Sequence, residues 1–235
     1  MAPGAPLTPP VSLSLVIPAL NEADAIGATL ARLPDGFREV IVADGGSTDS
    51  TVEIAREAGC RVSVSGPGRG GQQNAGAALA SGDVLVFLHA DTRLPADAPE
   101  RIRSALADPA VVGGGFALAI DSDDPFLAIV ARTATWRARS GGLFYGDQAL
   151  FVRRDVFERL GGFPPIPIME DVALVRALRR VGGLALVEAP VLTSARRWEK
   201  ENPLYTTLRN WVLVSAYLLG VPPHRLARWY RPHKD

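Results

Sequence analysis

Cysteine is almost missing from this 235-residue chain, where Cys60 is the only one. A single thiol closes no intramolecular disulfide and builds no cysteine-based zinc site, which fits a reducing, cytoplasmic compartment. Net charge is missing too, with 25 Lys plus Arg against 25 Asp plus Glu. Nothing supplies a broad phosphate-neutralising surface, so no nucleic-acid partner is expected. Long apolar runs are also lacking. The longest near the C-terminus, residues 211–221, is roughly half of what a bilayer span needs. The opening MAPGAPLTPP has four prolines in ten residues and no basic stretch before an apolar run. Residues 1–10 therefore suggest a disordered leader and not a signal peptide. What is present is 47% hydrophobic and 21% charged, enough for one substantial core and short of two.

Along the chain, short β-branched and leucine-rich runs alternate with helical patterns. Residues 13–18 form a buried-strand pattern stopped by proline. Asn21 then looks like a helix N-cap, with Asp24 three places on and Ile26, Leu30 and Leu33 on one face. A second strand at 39–43 runs into Asp44-Gly45-Gly46-Ser47-Thr48-Asp49, a turn and cap before another helix. A third strand covers 61–64, and a glycine-rich segment at 66–71 precedes a helix expected from Gln72. The strand at 84–88 ends at His89-Ala90-Asp91. This alternation predicts an α/β fold, three-layered, with a mostly parallel central sheet. Ligands of such sheets bind beyond the carboxyl ends of the strands, where Asn21-Glu22, Asp44–Asp49 and His89–Asp91 all fall.

The second half is less regular. Helices are expected at 97–106, from Pro125 onward, at 154–160 and at 171–181, with strands at 111–120, 149–153 and 184–187. Residues 164–167 must be loop, because their three prolines suit neither helix nor central strand. No linker divides the chain. One domain over 11–198 is expected, with a helical extension over 199–235 packed on it.

Several residues point to chemistry. Asp44, between a buried strand and two glycines, is either a ligand contact or a turn residue. Asp91 follows a strand directly, where a carboxylate beside an anionic ligand suits a hard divalent cation. His89, two residues away, would point to the same side on an extended backbone, or merely pack in the loop. Glu170-Asp171 begins a helix just past the proline-rich loop; the pair is either dipole-favoured charge or a general base. Arg69, among glycines before a helix, could cradle phosphate, although no P-loop or dinucleotide fingerprint is present. Arg196-Arg197-Trp198 offers a phosphate clamp and stacking face, or a surface pair beside a core tryptophan.

Together these segments resemble the nucleotide-sugar glycosyltransferases of family 2, which have the GT-A fold. The matching pieces are Val16-Ile17-Pro18-Ala19-Leu20-Asn21-Glu22, Asp44-Gly45-Gly46-Ser47-Thr48-Asp49, Gly68-Arg69-Gly70 with Asn74-Ala75-Gly76, His89-Ala90-Asp91, and Glu170-Asp171. Gly146-Asp147-Gln148-Ala149, Gly161-Gly162-Phe163-Pro164 and Thr193-Ser194-Ala195-Arg196-Arg197-Trp198 resemble a compact bacterial subgroup, the arsenosugar-biosynthesis or selenodomain-associated transferases.

The resemblance implies an inverting transfer of a single sugar from a nucleoside-diphosphate sugar, UDP-linked by expectation, to a small-molecule or lipid-linked hydroxyl. It makes Glu22 and Asp44 contacts to ribose and base, and Asp91 a ligand of Mg²⁺ or Mn²⁺, with His89 beside it. Asp171 becomes the general base, with Glu170 adjacent. Pro18, Arg69, Asn74, His89, Ala90, Gln148, Arg197 and Trp198 would line the donor site.

Three positions depart from the family pattern. His89 replaces the first Asp of Asp-x-Asp, Gly45 replaces the second acid after Asp44, and Ser194 replaces the Gln of the processive motif. A nucleotidyltransferase would need a glycine-rich basic loop after the first strand, where Pro18-Ala19-Leu20-Asn21-Glu22 stands instead. A non-catalytic nucleotide-sugar binder would have no use for a base at Glu170-Asp171. Residues 204–220, with Trp211, Tyr217 and several leucines, form a helix packed on the domain or on a second subunit, or one that meets a membrane. His224 and His233 are expected on the surface.

Overall fold

The computed structural model describes residues 11–230; the leader expected over 1–10 and the histidine at 233 lie outside them. Eight strands form one sheet: β1 (Leu13–Ala19), β2 (Glu39–Asp44), β3 (Arg61–Val64), β4 (Val84–Phe87), β5 (Thr92–Arg93), β6 (Val111–Asp121), β7 (Phe151–Arg153) and β8 (Gly183–Ser194). Their order across the sheet is β3-β2-β1-β4-β7-β6-β8-β5. β3, β2, β1 and β4 run parallel, as do β6 and β8, while β7 and β5 are antiparallel to their neighbours. The sheet is thus mixed with a parallel majority.

Helices α1 (Ala23–Leu30), α2 (Thr51–Glu57), α3 (Arg69–Leu79) and α4 (Ala98–Ala105) belong to the first half. The second half adds α5 (Pro125–Gly141), α6 (Arg154–Arg159), α7 (Glu170–Leu178), α8 (Arg196–Lys200), α9 (Pro203–Leu218) and α10 (Pro223–Leu226). The strand period of two divides the core into layers. Leu13, Leu15 and Ile17 of β1 pack with Ile26 of α1 and Ala55 of α2. Val16 faces the opposite way, into a cluster with Phe87, Phe157, Phe163 and Leu174. Helices therefore cover both faces of the sheet.

Pro18 sits inside β1, where a proline would normally cost a ladder bond. The carbonyl of Val16 accepts from Leu88 N (3.0 Å), and the β1–β4 pairing ends at Val16 and Phe87. Two residues on, Pro18 faces the same side, past the end of β4, so its missing N–H leaves nothing unpaired.

Local expectations are corrected at three points. Asn21 is not the cap of α1: it has φ +52°, Glu22 takes the cap position, and the Asn21 Oδ1 accepts from Thr48 N (2.9 Å). Helix α3 begins at Arg69, three residues before Gln72. Glycine disfavours helix, but a Cβ on Gly70 would lie 3.2 Å from the Pro164 carbonyl, so packing selects glycine in this first turn. Strand β8 runs well past Val187. Val187 pairs with Phe116 and Pro190 with Ala117, so Glu188 and Ala189 bulge out and the strand resumes beyond the proline.

At the C-terminal end, Asn202 caps α9 by accepting from Leu204 N and Tyr205 N (3.0 and 3.2 Å), and Pro203 opens the helix. Leu213 of α9 packs with Ile168 and Leu226 in a small satellite core. Helix α8 runs across residue 198, the boundary expected between domain and extension.

Candidate active site

Because β1, β2 and β4 are parallel, the segments after Ala19, Asp44 and Phe87 emerge on one edge of the sheet. The loop after β2 is the most tightly tied. Asp44 is 1% exposed; its Oδ2 accepts from the N–H groups of Gly46 (2.8 Å) and Ser47 (3.0 Å), and its Oδ1 from the Ser47 hydroxyl. Asp49 likewise accepts from Thr51 N (3.0 Å) and Ala23 N (3.1 Å), which fastens this loop to α1. The Gln72 amide donates to the Ala19 carbonyl at 2.7 Å, so α3 pins the end of β1.

After β4, the backbone turns. Thr92 N donates to the His89 carbonyl at 3.1 Å, and α1 holds the turn through the Thr29 hydroxyl on the Ala90 carbonyl (2.6 Å). The backbone from His89 to Asp91 is thus a turn and not the extended stretch on which the two side chains were expected to share a side. Asp91 faces Arg196: one Arg196 nitrogen donates both to Glu22 Oε2 (2.7 Å) and to Asp91 Oδ2 (3.0 Å). A single guanidinium thus joins the ends of β1 and β4. His89 points toward the turn at Gly146–Gln148, where its Nε2 is shut off from solvent without a partner. Burial, helped by the Arg69 charge, pushes its imidazole down to about 3, so the ring is neutral.

Glu170 and Asp171 open α7 behind Met169, which takes a left-handed conformation at φ 68°. Non-glycine residues seldom sit there, and such strain persists only where the surroundings enforce it. Asp171 Oδ2 accepts from Gly146 N (2.7 Å) and Oδ1 from Val172 N (2.7 Å). A Cβ on Gly146 would come within 2.9 Å of His89 Nε2 and 3.4 Å of Asp171 Oδ2, so the contact demands glycine. Glu170 is 4% exposed, and burial plus the neighbouring Asp171 charge raise its carboxyl from 4.5 to about 6. The Arg69 guanidinium lies 3.9 Å from it and opposes the rise.

Other residues singled out from the sequence have different placements. Gln148 is fully buried; it donates to the Phe116 carbonyl (2.9 Å) and accepts from Arg137 (2.9 Å), so its amide braces the turn. Asn74 makes a two-point clamp on the Phe163 backbone (2.8 and 2.9 Å), tying α3 to the Gly161–Pro164 turn. Trp198 is buried in the core, and Arg197 stands over the Tyr230 ring at 5.3 Å. Arg196, not the Arg197-Trp198 pair, reaches the carboxylates of the sheet edge.

Asp147 also belongs here: its Oδ1 is buried without a partner, and burial pushes its carboxyl up against the pull of Arg137. Its only sequence signal was its place in Gly146-Asp147-Gln148-Ala149.

A hard cation fits this arrangement only in part. Asp91 offers a partly exposed carboxylate, a suitable oxygen donor. Among the described residues no three His, Cys, Asp or Glu side chains gather closely enough to hold a metal. Phosphate oxygens of a ligand would have to complete the coordination.

The sequence pattern described as Glycosyl transferase family 2 matches residues 14–161. Uncharacterized glycosyltransferase Mb0553 of Mycobacterium bovis is 34% identical over 93 residues, which is 39% of this chain and 42% of that protein. A PGL/p-HBAD biosynthesis glycosyltransferase of Mycobacterium bovis (strain BCG) is 31% identical over 171 residues, 64% of this chain and 62% of the relative. The chain thus spans less than two thirds of the length of either relative. Among solved structures, glucosyl-3-phosphoglycerate synthase from Mycobacterium tuberculosis in complex with Mn²⁺ and UDP-glucose matches with a TM-score of 0.61. It is 24% identical and covers 90% of this chain and 80% of its own. S. aureus TarS 1–349 in complex with UDP-GlcNAc has a TM-score of 0.63 at 16% identity, covering 78% of this chain and 58% of its own. At these identities the likeness is one of fold.

Proposed function

The chain belongs to glycosyl transferase family 2, and from that premise we propose that it moves one sugar from a nucleoside-diphosphate sugar, UDP-linked, to an acceptor hydroxyl with inversion. The GT-A fold is the frame on which this reading rests. The observation that carries it is the Arg196 guanidinium shared by Glu22 and Asp91 across from Arg69, Glu170 and Asp171.

In this reading the donor lies along the carboxyl ends of β1, β2 and β4, with base and ribose against the Asp44 loop and Glu22. The diphosphate faces Asp91, Arg69 and Arg196. Mg²⁺ or Mn²⁺ held by Asp91 and the phosphates would neutralise charge on the leaving diphosphate. Asp171, held rigid by Gly146 N and Val172 N, takes the proton of the acceptor hydroxyl. The freed oxygen attacks the anomeric carbon from the face opposite the diphosphate, whose carbon–oxygen bond breaks. Both bonding electrons leave with the nucleoside diphosphate, and the guanidinium groups stabilise that charge as it develops. The arsenosugar or selenodomain-associated subgroup, suggested by the strings around Asp147, Phe163 and Arg196, leaves the acceptor open between small molecules and lipids. The cytoplasmic setting suggested by the lone Cys60 forms part of the same proposal.

The reading is tested by incubating the protein with UDP-, GDP- and dTDP-sugars, Mn²⁺ and an acceptor panel. Released nucleoside diphosphate is assayed and the product anomer is read by proton NMR. An α-linked UDP-sugar should give a β-linked product. Retained configuration, or no release from any donor, contradicts the reading.

A further inference from the structure

Helix α9 turns one side toward the satellite core and leaves the other bare. Thr206 and Leu213 are buried, whereas Leu204 (64% exposed), Leu208 (62%), Trp211 (61%), Val212 and, two turns on from Trp211, Leu218 are exposed along the helix. The stripe contains no charge. Just beyond it, Leu219 is 86% exposed and Trp229 67% exposed. Helix α5 packs against α9 and exposes Ile129 and Trp136 beside Arg132. Three of the four tryptophans therefore stand in solvent: Trp136 on α5, Trp211 on α9, and Trp229 just past α10, which packs on α9. An uncovered apolar surface of this kind marks a contact site.

Charge decides what covers it. Residues 202–230 contain no Asp or Glu, in a chain that as a whole carries as many acids as bases. Arg209 is paired with Glu201 at 2.7 Å, whereas Arg225 and Arg228 are exposed beyond the end of the helix. A two-fold pairing of two chains through this stripe would set one acid-free segment against its copy, so the stripe itself offers no carboxylate to Arg225 or Arg228. An anionic lipid surface meets both features: apolar side chains enter the headgroup boundary and arginines take the lipid charge. No helix among the described residues is long and apolar enough to cross a membrane. With 16 residues, α9 is about 24 Å long and suits lying along the surface.

We propose that α9, with Trp229 and the exposed side of α5, is a docking surface for an anionic bilayer. It does not depend on the catalytic reading.

The test is co-sedimentation of the full chain with vesicles of phosphatidylcholine alone and of phosphatidylcholine with phosphatidylglycerol in equal parts. Binding should favour the anionic vesicles and fall with salt. Leu208→Ser with Trp211→Ser should weaken it at least about ten-fold, and Arg225→Gln or Arg228→Gln about five-fold each. Because these side chains are exposed, the unfolding midpoint should stay put. Tryptophan emission of the unaltered chain should shift to the blue on anionic vesicles, a reading that needs no variant. Equal binding to both vesicles, binding to neither, or binding untouched by the serine substitutions overturns the proposal. So does a vesicle-free dimer that the serine substitutions dissociate, because a second copy would then own the stripe.

Discussion

The loop after β2 and the cluster around α7 share one edge of the molecule and are built on opposite terms. In the first, Asp44 and Asp49 accept from backbone N–H groups and hydroxyls of the same loop, of α1 or of the start of α2. In the second, His89 Nε2 and Asp147 Oδ1 are buried without partners, Met169 is held in a left-handed conformation, and Glu170 is pushed up to about 6. Buried polar groups are ordinarily satisfied, so the exceptions mark where a structure is kept for something other than stability. One loop is a finished scaffold. The other cluster is held ready for a ligand.

This difference can be broken most forcefully at Asp171. Asp171→Asn keeps the side-chain shape but removes the base, and transfer should drop by about a thousand-fold. Because the amide keeps an acceptor for only one of the Gly146 and Val172 N–H groups, unfolding should also become easier by about 1–2 kcal/mol, far less than the loss of transfer. Asp44→Ala should chiefly cost stability, with transfer lowered only as far as the loop proposed to meet base and ribose loosens. Losing a buried carboxylate that holds three donors should cost about 3 kcal/mol of stability, read by urea unfolding. A large loss of turnover in a still-stable Asp44→Ala protein would dissolve the distinction.

Glu170 sharpens it further, because a folded-state value above the unfolded 4.5 means that burial penalises its charge. Its stabilising share is present below pH 4.5 and lost as pH rises toward about 6. Glu170→Gln should therefore gain about 2 kcal/mol at pH 7 and flatten that part of the stability profile. Denaturant titrations at pH 4.5 and pH 7 check this. The smallest effect separates neighbouring arginines: Arg196→Ala should weaken UDP binding about ten-fold, and Arg197→Ala clearly less.

Much of the scaffold was legible in the residues. The runs in β1, β2 and β4 alternate with helical patterns at short spacing, so the parallel half of the sheet and its ligand edge follow from periodicity. The acids at 22, 44, 91, 170 and 171 were legible through motif order. What escaped was set by distant contacts. Which of Arg196 and Arg197 meets Glu22 depends on α8 starting at Arg196 and on a partner 174 positions away. Gln148 and Asn74 have ligand-like side chains, but burial behind Phe116 and clamping on Phe163 turn them into braces. The turn at Ala90 was missed because a strand followed by His-Ala-Asp gives no sign of where the extended backbone stops. The extent of β8 was missed because a bulge before Pro190 looks like an ending.

Calorimetric titration of UDP into the protein with and without Mn²⁺, repeated on Asp91→Ala, probes the proposed donor site most directly. The account predicts binding that requires the ion in the unaltered protein and vanishes in Asp91→Ala. UDP binding that ignores both the ion and the substitution, or no binding at millimolar UDP, would contradict it.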